Sequence, residues 1–232
     1  MSEVSHRMDA AERRTAIVQA AMPLFARQGL SGVTTREIAS AAGVSEALLY
    51  RHFDSKEALF EASQSICLEE SHANARRIEA YPDSTGTLVA AVFVMMFQVG
   101  GMADDPDGRR RHMRSMFMRS LLAGDGFAPG LLAAASEPWI PKIRRCWESA
   151  RAAGDLVDGV PVPEFTVWMG HHLATGCAFM SLHGAPIVAL PLEGEQFLIE
   201  QTRFVLRGVG LKPEVIDLHF KPELLLRLVK EA

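Results

Sequence analysis

Two short apolar-periodic stretches separated only by Gly43-Val44-Ser45 constrain this chain more than any other feature. The first opens on Thr34-Thr35-Arg36-Glu37, a T-x-x-E pattern. There the Thr34 hydroxyl can accept from the amide three residues on, while the Glu37 carboxylate reaches back. Ile38, Ala39 and Ala42 then face inward over two turns, and Gly43 supplies the positive φ that a tight reversal requires. Ser45 offers a second N-cap, followed by Leu48, Leu49 and Phe53 at helical spacing. The small residues Ala39, Ala41 and Ala42 would let the two helices cross closely. Two helices joined this way form a helix-turn-helix, whose second helix enters a major groove while the first crosses phosphates.

Helical periodicity continues on both sides of this pair. From Arg13 to Gln28, Ile17, Ala21, Leu24 and Phe25 make one stripe, with Pro23 an awkward interior residue expected to kink it and Gly29 to stop it. Asp54 to Glu57 repeats the capping-box pattern ahead of a long amphipathic stretch carrying Leu59, Phe60, Ile66 and Leu68. Thr85 to Val99 is apolar on nearly every side, as in a helix enclosed by others. A helix then runs from Arg109 through Leu122, Gly124–Gly130 reads as a loop, and Pro138 and Pro141 place the next start near Ile140, ending at Gly154. After the extended Val160-Pro-Val-Pro163 come Glu164–His183, Glu195–Val209 and a shorter helix from Pro213 to Lys230. No strand alternation appears. The expectation is an all-α chain of nine or ten helices, divided into a three-helix head over residues 10–72 and a helical domain over 73–232.

Composition narrows the classes. With 232 residues, 48% of them hydrophobic, the chain can bury a sizeable core. Its formal net charge is −4, and residues 1–57 hold seven basic and seven acidic side chains, so it is no polycation. Contact with nucleic acid would depend on a few placed cations and helix termini, doubled by a two-fold dimer. The three cysteines, Cys67, Cys146 and Cys177, are widely spaced with no CxxC, which fits a reducing compartment. The polar N-terminus is unlike a signal peptide, and the longest apolar run, Leu88 to Phe97, is ten residues against the roughly 20 of a membrane span. A cytoplasmic protein with no membrane partner is expected. No G-x-S-x-G, P-loop, H-E-x-x-H or GxGxxG occurs, so catalysis is not expected, and no cofactor is called for. An enzyme using an apolar helical pocket, or a helical adaptor that does not bind DNA, remain the alternative readings.

The string TTREIASAAGVSEALLYRHFDSKEALF, Thr34 to Phe60, resembles the DNA-binding domain of TetR-family transcriptional regulators, and AIVQAAMPLFARQGLSGVT before it resembles that domain's first helix. The resemblance covers roughly residues 10–70 and rests on G-V-S, L-Y-x-H-F and S-K-E-x-L at fixed spacing. It implies a homodimer on a double-stranded operator, an effector-binding and dimerising second domain, and regulation, as a repressor, by a small molecule.

Residues can be assigned to these roles. Thr34 and Thr35 sit at a helix N-terminus, where hydroxyls and free amides suit a phosphate, or serve as caps. Arg36 could reach the groove or its wall. Ser45, Glu46, Ala47 and Leu48 form the first turn of the reading helix, followed by Tyr50, Arg51 and His52. The resemblance implies phosphate or base contact from Tyr50 and His52. Lys56 is placed to grip the backbone. Glu46 is awkward beside DNA, although it suits a helix N-terminus and could accept from a cytosine N4. Leu49 and Phe53 are core. For an apolar or aromatic effector the candidates are Phe93, Met96, Phe97, Met113, Phe117, Leu121, Trp147 and His171, in a chain with eleven methionines. The dimer interface is expected on Glu164–His183 and Glu195–Val209, with Gly170, Ala174, Gly176 and Ala178 permitting close approach. Arg109-Arg110-Arg111 with Arg114 could bind an anion or DNA, but such a run more often forms a solvated helix face. His171-His172 does not form a metal pair, because adjacent helical residues diverge by about 100°.

Overall fold

The computed structural model describes residues 8–100, 108–160, 162–180 and 187–230, except the side chains of residues 67 and 230. Within them the chain is all-α, with twelve helices and one isolated bridge between Leu156 and Leu211. The helices are α1 (Ala10–Gly32), α2 (Thr35–Ala41), α3 (Glu46–His52), α4 (Lys56–Glu79), α5 (Thr85–Val99), α6 (Arg109–Ala123), α7 (Phe127–Ser136), α8 (Trp139–Ala152), α9 (Pro163–Phe179), α10 (Gly194–Gly208), α11 (Pro213–His219) and α12 (Pro222–Lys230). The end of the expected Glu164–His183 helix lies outside the described residues. No helix among those described is long and apolar enough to cross a membrane.

Where the helices exceed the expected nine or ten, local chemistry explains it. The predicted Gly124–Gly130 loop is helical from Phe127. Two orphan amides of its first turn are satisfied from α6 and the turn: Ala128 N–H donates to Ser120 Oγ at 2.8 Å, and Phe127 N–H to Asp125 Oδ1 at 3.0 Å. The expected Pro213–Lys230 helix is two, because Pro222 disfavours a helical residue before it. The first helix begins at Ala10, three residues before Arg13, on an Asp9–Glu12 capping box. Its backbone stays helical through Pro23 and breaks at Gly29, where φ is 72°.

The chain forms two compact units. One gathers residues 1–68 and 105–131, the other residues 69–104 and 132–232. The first unit has its own core, in which Ile17, Phe25, Ile38, Leu49, Phe53 and Leu59 are joined by Met113, Met116 and Phe127 from α6 and α7. Phe60 stands edge-on to Phe25 at 5.0 Å and tilts against Phe127 at 4.5 Å. The Arg119 guanidinium donates to the carbonyls of Ala26, at 2.8 Å, and Arg27, so it caps α1 just ahead of its break at Gly29.

The second unit is built around α5, which packs against α8, α9, α10, α11 and α12. As its all-round apolarity predicts, Leu88, Val89, Ala91, Val92, Phe93 and Met96 are fully buried. Lys142 on α8 is 3% exposed, and its ammonium donates to Tyr81 O at 2.7 Å and to Asp83 Oδ1 at 2.6 Å. Arg145, one turn on, pairs with Asp83 and Glu79. Lys142 first, and Arg145 with it, hold the Asp83 carboxyl below the ordinary carboxylate range. Among the described residues neither Cys146 nor Cys177 forms a disulfide, and burial raises the Cys146 thiol.

Candidate nucleic-acid interface

The helix pair forms as its local sequence dictates. Thr34 caps α2: its hydroxyl accepts from Glu37 N–H at 3.2 Å, and its amide and hydroxyl donate to Glu37 Oε2 at 2.8 and 2.7 Å. Those bonds lower the Glu37 carboxyl, the hydroxyl contributing most. Gly43 adopts φ 64°, and Val44 N–H returns to Ala39 O at 2.9 Å to close the turn. Ser45 caps α3, its Oγ accepting from Leu48 N–H at 3.1 Å. Of the three alanines expected at the crossing, Ala39 is buried, Ala42 is partly buried and Ala41 is exposed. Two small residues therefore make the approach. Ser55, rather than Asp54, caps α4, its Oγ accepting from Ala58 N–H at 3.1 Å.

Burial splits α3 cleanly. Leu49 is 0% and Phe53 2% exposed, anchoring the helix in the core of the first unit. Ala47, Tyr50 and Arg51, at i, i+3 and i+4, share the opposite, exposed face, and Tyr50 keeps 49% of its surface open. Leu48 and His52 flank that face half-buried. On α2, Arg36 is exposed and Thr35 half-buried. Arg36 and Arg51 have no hydrogen bond or ion pair among the described residues.

Three polar residues do something the sequence does not disclose. The Thr35 hydroxyl donates to Glu46 Oε2 at 2.9 Å, which draws this carboxylate from α3 to the start of α2. Lys56 donates to Val33 O at 2.8 Å, so one of its three protons is committed to the fold. Arg14 donates to His52 O and stacks over the Phe53 ring at 4.0 Å, pinning the end of α3 to α1. The partners are 11, 23 and 38 residues apart, beyond the reach of any spacing rule.

The effector candidates divide between the units. Phe93, Met96 and Trp147 lie in the core of the second, Phe97 packs beside them, and His171 is on α9. Met113 belongs to the core of the first unit, Phe117 is buried on α6 and Leu121 is half exposed. On α9, the small residues expected at a dimer contact are partly used inside the unit. Gly170, Ala174 and Ala178 are buried, and a Cβ at Gly170 would lie 2.8 Å from Val205 on α10. Outward lie Phe165, Met169 and Met180, with Phe204 of α10, each more than half exposed. Trp168 stands near both His171 and His172, at 5.5 and 5.9 Å.

Known proteins share this arrangement. Residues 17–63 match the model of bacterial regulatory proteins of the tetR family. A stretch of 81 residues is 42% identical to the HTH-type transcriptional repressor KstR2 of Rhodococcus jostii, covering 34% of this chain and 40% of that one. The chain thus spans well under two thirds of this curated relative. Among solved structures, a gamma-butyrolactone receptor (ArpA-like protein) superposes with a TM-score of 0.61 at 23% identity, over 97% of this chain and all of that one. The ketosteroid regulator KstR2 of Mycobacterium tuberculosis does so with 0.57 at 18%, over 90% of this chain and all of its own. Residues 17–63 therefore form a tetR-family domain, and the chain as a whole shares the fold of these solved structures.

Proposed function

We propose that this chain is a ligand-responsive, DNA-binding transcriptional regulator that represses by occupying an operator and leaves it when a small apolar or aromatic effector binds. The carrying observation is the outward face of α3. Ala47, Tyr50 and Arg51 are open to solvent while Leu49 and Phe53 lock the helix from behind. Arg51 is the base or phosphate contact of that face, and Arg36 and the free amides at the start of α2 grip the phosphates. Thr34, Thr35 and Ser45 act first as caps and supports. Glu46 is held by Thr35 and shapes the first turn rather than reading a base. Lys56 offers its remaining protons to the backbone.

The repressor in the name of the Rhodococcus jostii relative supports the sign of regulation. The working form is a cytoplasmic homodimer joined through α9 and α10. The exposed Phe165, Met169, Met180 and Phe204 supply its apolar patch, and two reading helices then address successive major grooves about 34 Å apart. Phe93, Met96, Phe97, Trp147 and His171 of the second unit receive the effector.

Band-shift titration on the DNA flanking the coding region tests this. The wild type shifts a specific fragment, and Arg51→Ala weakens binding by about 5- to 150-fold, corresponding to roughly 1–3 kcal/mol per base contact, with thermal stability unchanged. A phosphate contact would weaken all sequences alike and lower the salt dependence. An unshifted fragment at low salt, or an Arg51→Ala protein that binds as well as wild type, refutes the reading and favours the adaptor.

A further inference from the structure

The second unit carries a cleft whose charges the fold leaves largely unused. It has a volume of about 490 Å³ and is lined by Trp147, Arg151, Leu156, Asp158, Val160 and Lys212 among others. Small-molecule sites occupy roughly 300–1,000 Å³, so a ligand of one or two rings fits. Backbone bonds hold the walls together. Val157 N–H donates to Gly210 O at 2.8 Å, Lys212 N–H donates to Asp155 O at 3.0 Å, and Leu156 and Leu211 form the isolated bridge. These bonds fix the segment after α8 against the segment after α10, so the cleft belongs to the fold rather than to one loop.

The lining combines apolar surface with charge. Trp147 is 7% exposed and its Nε1 donates to Val209 O at 3.4 Å, so the indole is seated in the core and turns only its remaining surface to the cleft. Leu156 and Val160 extend that apolar surface. Arg151, one turn beyond Trp147, holds its guanidinium 5.8 Å from the ring centroid, against 4.0 Å where Arg14 stacks on Phe53. That guanidinium makes no hydrogen bond or ion pair among the described residues. Lys212 commits one proton to Gly154 O at 2.6 Å, and Gly154 N–H returns to Arg151 O at 3.1 Å, which ties both cations to the turn that ends α8. Asp158 is the single carboxylate of the lining. Two cations and one carboxylate leave one positive charge.

We propose that this cleft binds a small aromatic monocarboxylate, with its ring on the apolar lining and its carboxylate on Arg151 and Lys212. A guanidinium meets a carboxylate with two parallel N–H donors, and Lys212 keeps two protons for the same group. A phosphate dianion would bring its second charge toward Asp158. A neutral ring would leave both cations unpaired, and an amine would meet two like charges. Acetate would keep the charge pairing without the ring, and ion pairs open to water contribute little alone. The site goes beyond the effector reading above: it shares only Trp147 with the side chains named there, and it holds whether or not its ligand releases DNA.

The test titrates the purified full chain by calorimetry, at neutral pH and low salt, with phenylacetate, 2-naphthoate, phenylacetamide, phenethylamine, phenyl phosphate and acetate. The two aromatic carboxylates bind at least about tenfold tighter than the other four. Arg151→Gln, at an exposed helix end, leaves the thermal midpoint unchanged and removes the preference for phenylacetate over phenylacetamide. Lys212→Met repeats the test should Arg151→Gln misfold. Asp158→Asn takes away a like charge and tightens phenylacetate about two- to fivefold. Equal affinity across the set, binding by none of them, or tightest binding of the amine or the phosphate overturns the proposal. So does a folded Arg151→Gln chain that keeps the preference. If phenylacetate binds with the expected preference but leaves the operator complex intact, the site stands and has a role other than release.

Discussion

The polar groups around α3 and those on α9 and α10 are treated in opposite ways. In the first unit, the polar groups that hold the reading helix are matched within the fold: Thr34 with Glu37, Ser45 with Leu48, Arg14 with His52, Lys56 with Val33, Arg119 with Ala26 and Arg27. In the second unit, the matched network of Lys142, Asp83 and Arg145 lies where α4 ends, while His171 Nδ1, the Thr175 hydroxyl on α9 and the Gln201 amide on α10 have no hydrogen-bond partner among the described residues. A reading surface needs a fixed shape, so its supports are satisfied internally. On the function proposed above, a unit that receives an effector needs donors and acceptors left for it.

Acid is the strongest way to break that contrast. His171 titrates near 4 when folded and near 6.5 when unfolded, so above pH 6.5 it is neutral in both states and contributes nothing. Between those values the unfolded chain takes up a proton that the native chain refuses. Stability is therefore lost as pH falls through this window, by up to about 3 kcal/mol, and the loss levels off below pH 4. Denaturant unfolding at several pH values should show this slope, and His171→Phe should flatten it. An unchanged slope in the variant would place the titrating group elsewhere.

Lys142→Met sharpens the contrast from the satisfied side. It strands the Tyr81 carbonyl and leaves Arg145 as the remaining cation beside the Asp83 carboxylate. Because Asp83 is partly open to water, the loss should be about 2 kcal/mol, less than for a fully enclosed pair, measured as a lower urea midpoint at unchanged slope. It should also let the Asp83 carboxyl titrate closer to its ordinary range. The smallest effect is expected at Thr34→Ala, about 1 kcal/mol from a lost N-cap, seen as a shift of a few degrees in the thermal midpoint. If this change instead abolishes operator binding without melting the domain, Thr34 touches phosphate as well as capping α2.

Legibility in the sequence followed the range of the interaction. The caps at Thr34 and Ser45, the turn at Gly43 and the anchors Leu49 and Phe53 were readable because each partner lies within a few residues. The start of α7 was not, since glycine and proline in Gly124–Gly130 signal a loop, and only Ser120 and Asp125 supply the acceptors that begin a helix there. Lys56 and Glu46 were readable as charges near a groove but not as groups with partners in the fold.

By itself, the amino-acid order determined an all-helical chain with a helix-turn-helix near its start, because helix periodicity, caps and glycine turns are local and repeat within one or two turns. Only the tertiary structure decided that Arg119 and Met113 of α6 join the first unit, 92 residues from Arg27 in the case of Arg119, and that the Gln201 amide and the Thr175 hydroxyl are enclosed with no hydrogen-bond partner among the described residues. A hydrogen bond or a vacancy between distant segments depends on how helices pack, and packing has no signature in the spacing of a single sequence.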